Sequence, residues 1–457
     1  MSQTLTRELP YLPEKAIHKI YDNGYQLVFV PKRGDVFNIN TWVNTGSINE
    51  DEVNNGVSHF LEHLMFKGTS RFKPGEFDKA MEGMGAIINA ATWKDFTFYY
   101  ITGPKGTGGN NFTKALDMHA DMLLCSTLPE AEIGVPYDIN DTDPNLVKRE
   151  RAVVIEEIGM RGDQPWTKVF NGLNHLMYPE THPYRRDVIG TRDIISQIPR
   201  SAIEDYYQTW YSAGAMTTIV VGDFDFEWLE TQVLKHFDFE NAPRSKDGGS
   251  VDFADSSTGL EDFIPQNRRH VETADVQTAF LMLGFHGPQA SNLKESIALD
   301  VFNNVLGDGR SSRLYQRFIE QPSNPVFNTI SVGQSSYRKG NITYLQGNLN
   351  CQNEAEVDEQ IKAVLEELNT MLTTNPLTET EFARAQKLLR NEFAETSEGA
   401  SGIAEEIGES FTLMGNMNGY ADYLSILDQL TCKEVQTIAS KWLQPNNHFE
   451  AFLLPKA

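Results

Sequence analysis

Two kinds of hydrophobic periodicity alternate along this chain, and their order recurs. Residues 25–30 and 37–47 are runs of aromatic and β-branched residues on either side of a Pro31–Gly34 turn, and they predict two strands. Apolar positions three and four apart then predict helices over 56–68 and 73–85, the second closed by Gly85. A long β-rich stretch over 85–101 has a polar break in its middle. Helices follow over 112–127 and 147–161, then a strand over 214–224 and a helix over 227–237. After residue 263 the order returns in weaker form: a strand over 277–285, a helix over 295–307, a strand over 341–351, helices over 354–372 and 378–395, and a last strand over 448–455. Two halves of about 200 residues with one element order predict a tandem duplication. Strands mixed with helix pairs, without regular β–α–β alternation, predict an α+β fold: two homologous domains, each a mostly antiparallel sheet packed with helices. Composition turns to Gly, Ser, Asp and Pro over 241–263. That stretch is read as a linker between an N-terminal domain over 1–240 and a C-terminal domain over 264–457.

The helix over 56–68 breaks its own pattern. His59, Glu62 and His63 sit among Phe60, Leu61, Leu64, Met65 and Phe66. On a helix His59 and His63 leave the same face one turn apart, so two imidazoles can take two vertices of a zinc tetrahedron. Glu62 stays near that face as a base rather than a ligand. A catalytic zinc wants three protein ligands and one open position, where water loses its proton to a carboxylate. The third ligand must come from elsewhere. The helix over 147–161 supplies candidates in Glu150 and Glu157, seven apart and on one face beside Val153, Val154 and Ile158. Glu156 lies about 100° further round, so one of Glu156 and Glu157 faces the site. The matching helix of the second half, 295–307, has no histidine pair, so zinc is expected once per chain.

The stretches 55–72, 85–101, 149–161, 182–191 and 210–224 together resemble the pitrilysin/insulinase family of inverted-motif zinc metallopeptidases, in its short processing-peptidase-like branch, over nearly the whole length. The resemblance implies that His59, His63 and Glu157 are zinc ligands, Glu62 is the general base for a zinc-activated water, and Glu150 is a carboxylate just behind the ligands. It implies an edge strand that an extended peptide joins, with Ala86, Asn89, Ala90 and Thr92 as substrate-binding residues. It also implies a chamber built from two chains, in which short or unfolded peptides are cut. Residues 133–145 lengthen the interval between His63 and Glu157 and read as a surface insertion. A second departure lies after the turn Ser311–Leu314. Active single-gene members of the family carry an arginine and a tyrosine seven apart there, which hold the substrate carbonyl. Those positions fall here on Ile319 and Val326, and the nearest substitutes are Arg317 and Phe327. The expected partner is a homologous chain that supplies the pair, giving a heterodimer, or otherwise a second copy of this chain. The alternative is a non-catalytic core subunit of the same fold.

Charge narrows the partners. Lys and Arg number 39 and Asp and Glu 63, so the net charge is −24. A strongly acidic surface repels nucleic acid and anionic membranes, and no nucleic-acid partner is expected. Cys125, Cys351 and Cys432 are far apart and read as small buried hydrophobes. The opening residues carry no apolar export segment, and no run of about eighteen apolar residues occurs. This predicts no membrane insertion and a cytoplasmic location, with the periplasm as the other compartment open to it.

Overall fold

The computed structural model describes residues 2–456 apart from 142, 144, 241–250, 256, 261 and 262. Much of the predicted linker therefore lies outside the described residues. The strands are β1 (Gln3–Arg7), β2 (Ala16–Ile20), β3 (Gln26–Pro31), β4 (Val36–Val43), β5 (Ile87–Thr92), β6 (Thr97–Pro104), β7 (Met216–Gly222), β8 (Arg269–Ala274), β9 (Ala279–His286), β10 (Phe327–Ser335), β11 (Ile342–Leu349) and β12 (Phe449–Pro455).

They form two sheets that repeat one plan. The first runs β1-β2-β3-β7-β4-β6-β5 and the second β10-β11-β9-β12-β8. Reversed, the second order matches the five strands from β3 to β5 in the first, strand for strand. In each sheet one pair is parallel, β3 with β7 and β8 with β12. The remaining pairs are antiparallel. The fold is thus α+β in two halves, as the recurring pattern predicts. Four strands carry too weak a pattern to be read from the sequence: β1, β2, β8 and β10. Most of β1 is exposed and β8 reads Arg-His-Val-Glu-Thr-Ala, because strands at or near a sheet's edge need no apolar alternation.

The chain divides into two compact units that take segments from both halves. One comprises Met1–Gly159, Arg186–Ala254 and Ala394–Ala421; the other comprises Met160–Arg185, Asp255–Phe393 and Asp422–Ala457. In the first unit helix Ala400–Met414 packs on β4 and β7. It lies so close that a Cβ on Gly408 would meet the Trp42 indole nitrogen at 2.0 Å. In the second unit helix Pro165–Met177 packs on β9 and β12, and a Cβ on Gly284 would meet Leu173 and Met177 at 2.8 Å. Each sheet is therefore packed against a helix from the other half of the sequence, and a glycine makes the approach possible.

Cys351 and Cys432 are buried, Cys125 is half-buried, and all three are free thiols. Within 133–145 most described residues are exposed, but Ile133 and Tyr137 are buried, so the insertion is pinned to the core by these two side chains. Among the described residues no helix is long and apolar enough to cross a membrane.

Candidate metal centre

The histidine helix, Val57–Met65, is almost wholly buried: Val57, Ser58, His59, Phe60, Leu61, Leu64 and Met65 are covered. Only Glu62 and His63 are half-exposed. The helix starts at Gly56, whose φ of 95° and tight contact with the Ile189 carbonyl, 2.7 Å from a built Cβ, leave room for glycine alone. Its first turn is held by Glu50. That buried carboxylate accepts from Gly56 N at 2.8 Å, Ser58 N at 2.9 Å and Asn55 Nδ2 at 2.7 Å, and from the Ser58 hydroxyl. Burial raises the Glu50 pKa, against the opposing pull of these donors. A carboxylate at a helix N-terminus also meets the positive end of the helix dipole.

The acidic helix, Arg149–Gly162, brings the third group. Glu157 Oε2 lies 3.3 Å from His63 Nε2 and 3.8 Å from His59 Nε2. One ligand atom from each of His59, His63 and Glu157 falls within 4.8 Å of the others, and among the described residues no other such cluster occurs. Ligands at 2.0–2.1 Å from a tetrahedral zinc stand about 3.3 Å apart, so two imidazole nitrogens and one carboxylate oxygen at these separations suit zinc. Glu156 is exposed, which assigns the inward position to Glu157. Val153, counted with the apolar stripe in the sequence, is instead 47% exposed, while Val154 is fully buried.

Glu150 accepts a bond from His63 Nδ1 at 3.0 Å and pairs with Lys67 Nζ at 2.7 Å. Holding Nδ1 in this way fixes the tautomer and turns Nε2 toward Glu157. Burial lowers the His63 pKa, but the bond to Glu150 and the charges of Glu62, Glu150 and Glu157 outweigh it and leave it raised. For Glu150 burial raises the pKa and the His63 and Lys67 partners lower it further than that, so the carboxyl stays ionised. Arg151, fully buried, anchors the same helix. Its guanidinium donates to the Ile195 and Ile198 carbonyls and sits over the Phe60 ring at 5.3 Å. Burial brings its pKa down to about 10.

Strand β5 is the edge of the first sheet and pairs with β6 alone among the described residues. Thr92, on its half-buried face, donates its hydroxyl to Glu62 Oε2 at 2.7 Å. Ala90 and Ile88 share that face, Asn89 and Ala91 are exposed, and Ala86 is buried just before the strand. A cleft of about 350 Å³ runs between the helices and the strand, lined by Glu62, His63, Lys67, Ile88, Asn89 and Glu150 among others. The arrangement presents three convergent groups that could ligate a metal, and beside one of them, His63, a cleft that also holds the Glu62 carboxylate and the open edge of β5. It can hold a divalent metal, orient a base and pair with an extended backbone.

The region read for an arginine and a tyrosine is built differently. Arg313–Tyr315 forms a short helical turn and Gln316–Glu320 continues as a π-turn. Arg317 is paired with Glu367, and Phe327 is buried in β10 against Phe318 at 5.2 Å. Ile319 and Val326 carry no polar group.

Glu50 and Arg151 were not legible as site residues. Glu50 stands six residues before the cap it serves, and Arg151 looks in sequence like one more charge in Lys-Arg-Glu-Arg. Glu50→Ala leaves several buried donors unmet, at about 1–3 kcal/mol for each unsatisfied group. It is expected to lower the urea midpoint measurably, whereas Glu50→Gln, which still offers an oxygen, is expected to lose less than half as much. Equal midpoints for Glu50→Ala and the wild type would show that the carboxylate does not hold the helix.

Comparison with known proteins places these observations. Residues 31–182 match the family model of insulinase, peptidase family M16, and residues 197–389 match that of the peptidase M16 inactive domain. The uncharacterized zinc protease YmxG of Bacillus subtilis is 26% identical over 88% of this chain and 89% of its own length. Subunit 1 of the mitochondrial cytochrome b-c1 complex of Bos taurus is 24% identical over 96% of this chain and 86% of its own. The crystal structure of a protease from Helicobacter pylori shares the fold with a TM-score of 0.80, at 24% identity, over 97% of this chain and 100% of that one.

Proposed function

The chain belongs to the pitrilysin/insulinase family, peptidase family M16, and from that premise we propose that it is a zinc-dependent endopeptidase that cuts short or unfolded peptides. The observation that carries this reading is the convergence of His59 Nε2, His63 Nε2 and Glu157 Oε2 with Glu62 on the same half-exposed face. Zinc, when bound by His59, His63 and Glu157, polarises a carbonyl and acidifies water. The chain's own groups do the rest. Glu62, steadied by Thr92, takes the proton from the attacking water and returns it to the leaving amine. Glu150 keeps His63 in the tautomer that presents Nε2. The peptide lies along β5 as an added strand, its backbone pairing between Ala86 and Thr92 and its side chains alternating toward Ala90 and Asn89.

The reaction also develops negative charge on the substrate oxygen, and a donor is needed there. Ile319 and Val326 provide none. This supports a zinc-bearing subunit whose homologous partner chain brings the arginine and tyrosine, in a chamber made by both. The second reading, a structural core subunit, draws on the relative named as a subunit of the cytochrome b-c1 complex. Retention of all four groups, His59, Glu62, His63 and Glu157, favours the enzyme.

The test measures hydrolysis of a generic quenched fluorescent peptide by this chain alone and mixed with a homologous chain that carries the pair. Losing one oxyanion donor typically costs about 10²–10³ in rate, so the mixture is expected to exceed the lone chain by at least ~100-fold per zinc. Equal activity per zinc in both would remove complementation. No zinc-dependent activity in either would favour the core subunit.

A further inference from the structure

The stretch 182–191 gives no group to the metal cluster, yet part of it closes on the start of the histidine helix. The Asp187 carbonyl accepts from Asn55 Nδ2 at 2.9 Å, and the Arg186 carbonyl accepts from Lys94 Nζ at 2.9 Å. Lys94 stands in the turn between β5 and β6, where Trp93 N donates to the Phe96 carbonyl at 2.8 Å. The same turn pairs with the loop that leads into the helix. Ile48 N donates to the Lys94 carbonyl at 2.8 Å and Ser47 N to the Trp93 carbonyl at 3.3 Å. The approach is close enough that a Cβ on Gly46 would meet the Trp93 carbonyl oxygen at 2.1 Å. Three segments, 46–50, 93–96 and 186–187, therefore meet around one lysine.

That lysine is 2% exposed, and its neighbour Asp95 is fully buried. Burial is the main influence on the Lys94 pKa and lowers it. The charges of Asp187, Asp95 and Glu50 raise it, that of Arg186 lowers it, and the result is about 8. Lys94 is therefore still an ammonium at neutral pH. Taking an ammonium out of water is expensive even when carboxylates surround it. The turn and the loop are already joined by backbone bonds, so pairing them does not need this charge. What the ammonium adds is the tie to the Arg186 carbonyl, and a position that only this arrangement of the three segments satisfies. Displacing any of them would separate a buried charge from its partners.

The turn it fixes begins at the base. Thr92, two residues before Lys94, is the last residue of edge strand β5 and donates to Glu62 Oε2 at 2.7 Å. We propose that Lys94 is a positioning residue: by tying the β5–β6 turn to the Arg186 carbonyl beside the Glu50-capped helix start, it sets Thr92 against Glu62 and fixes the end of the strand that a peptide joins. The assignment rests on the peptidase reading for what this position serves, and not for the tie itself. A supporting group of this kind acts through distance, since about 1 Å of misplacement near reacting groups can cost about 100-fold in rate.

The test uses the full chain and four variants. Amide hydrogen exchange is followed over residues 87–98, zinc per chain by elemental analysis, and kcat with the quenched fluorescent peptide in the presence of the homologous chain. Lys94→Met is neutral and close in length. It is expected to speed exchange over 87–98 and to lower kcat about 100-fold while zinc stays as in the wild type. Lys94→Gln, a neutral donor, serves if Lys94→Met fails to fold. Lys94→Arg keeps the charge and is expected to recover most of the protection and most of kcat. Thr92→Val removes the hydroxyl on Glu62, and combining it with the neutral variant is expected to cost far less than the two losses multiplied, because both act through one contact. A folded neutral variant with wild-type exchange overturns the assignment. So does faster exchange with wild-type kcat, or a double variant whose losses multiply in full. Faster exchange in the neutral variant with no hydrolysis by any chain, wild type included, would sink the peptidase reading and leave the tie standing. Hydrolysis with unchanged exchange would sink the tie alone.

Discussion

Glu62→Gln is expected to keep one zinc per chain, to bind peptide, and to cleave it at least ~100-fold more slowly, the low end for losing a general base. The geometry separates the two roles. Glu62 is not one of the three groups whose ligand atoms converge, so its charge is not needed to hold metal. It is half-exposed beside His63 in the cleft and accepts from Thr92 Oγ1 at 2.7 Å. Glutamine has the same shape and can still meet the Thr92 hydroxyl, so packing changes little. What it lacks is a basic oxygen. The measurement is kcat with a quenched fluorescent peptide, alongside zinc by elemental analysis and peptide affinity by anisotropy. Wild-type kcat in a variant with full zinc would take Glu62 out of the mechanism. Loss of zinc together with kcat would make it a ligand instead.

The site was legible where spacing alone fixes geometry. His59 and His63 one turn apart, with Glu62 between them in an apolar frame, specify a shared face on any helix. The same arithmetic allowed only one of Glu156 and Glu157 to face the site, the family resemblance pointed to Glu157, and the structure leaves Glu156 exposed. Legibility failed where a contact joins residues with no common period. Glu50 reaches the histidine helix by looping back to Gly56 and Ser58, and Arg151 reaches carbonyls at Ile195 and Ile198. Neither leaves a mark on a pattern of 2.0 or 3.6 residues.

The fold shows the same division. The recurring order of elements predicts two α+β halves, and the two sheets share five strands in one order. Amphipathic pattern says that a helix has a face to bury but not which sheet receives it. Helix Ala400–Met414 packs on β4 and β7 of the first sheet, and helix Pro165–Met177 on β9 and β12 of the second. Gly408 and Gly284 mark those close approaches, yet a lone glycine in a helix or strand can have several causes. Strand β10 escaped because Phe-Asn-Thr-Ile-Ser-Val-Gly-Gln-Ser mixes polar residues onto both faces, as suits an edge.

Changing the proposed zinc ligands and their neighbours one at a time should grade the loss of metal. His63→Ala is expected to lose nearly all zinc, because it deletes the nitrogen 3.3 Å from Glu157 Oε2 and leaves two donors where a catalytic site needs three. Glu157→Gln should behave alike: a neutral amide oxygen is a poor substitute for a carboxylate between two imidazoles. Glu150→Gln is milder. It keeps all three ligands but weakens the partner of His63 Nδ1, and losing such a supporting bond typically costs about 10–100-fold in metal affinity. Glu156→Gln, at an exposed position one residue away, should bind zinc as the wild type does. Zinc per chain by elemental analysis, with affinity from competition against a chelator, reads all four. The order His63→Ala and Glu157→Gln weakest, Glu150→Gln intermediate and Glu156→Gln unchanged is specific to this centre. If Glu157→Gln kept full zinc while Glu156→Gln lost it, the acidic helix would face the metal one residue out of phase. If all four kept it, the metal would bind elsewhere.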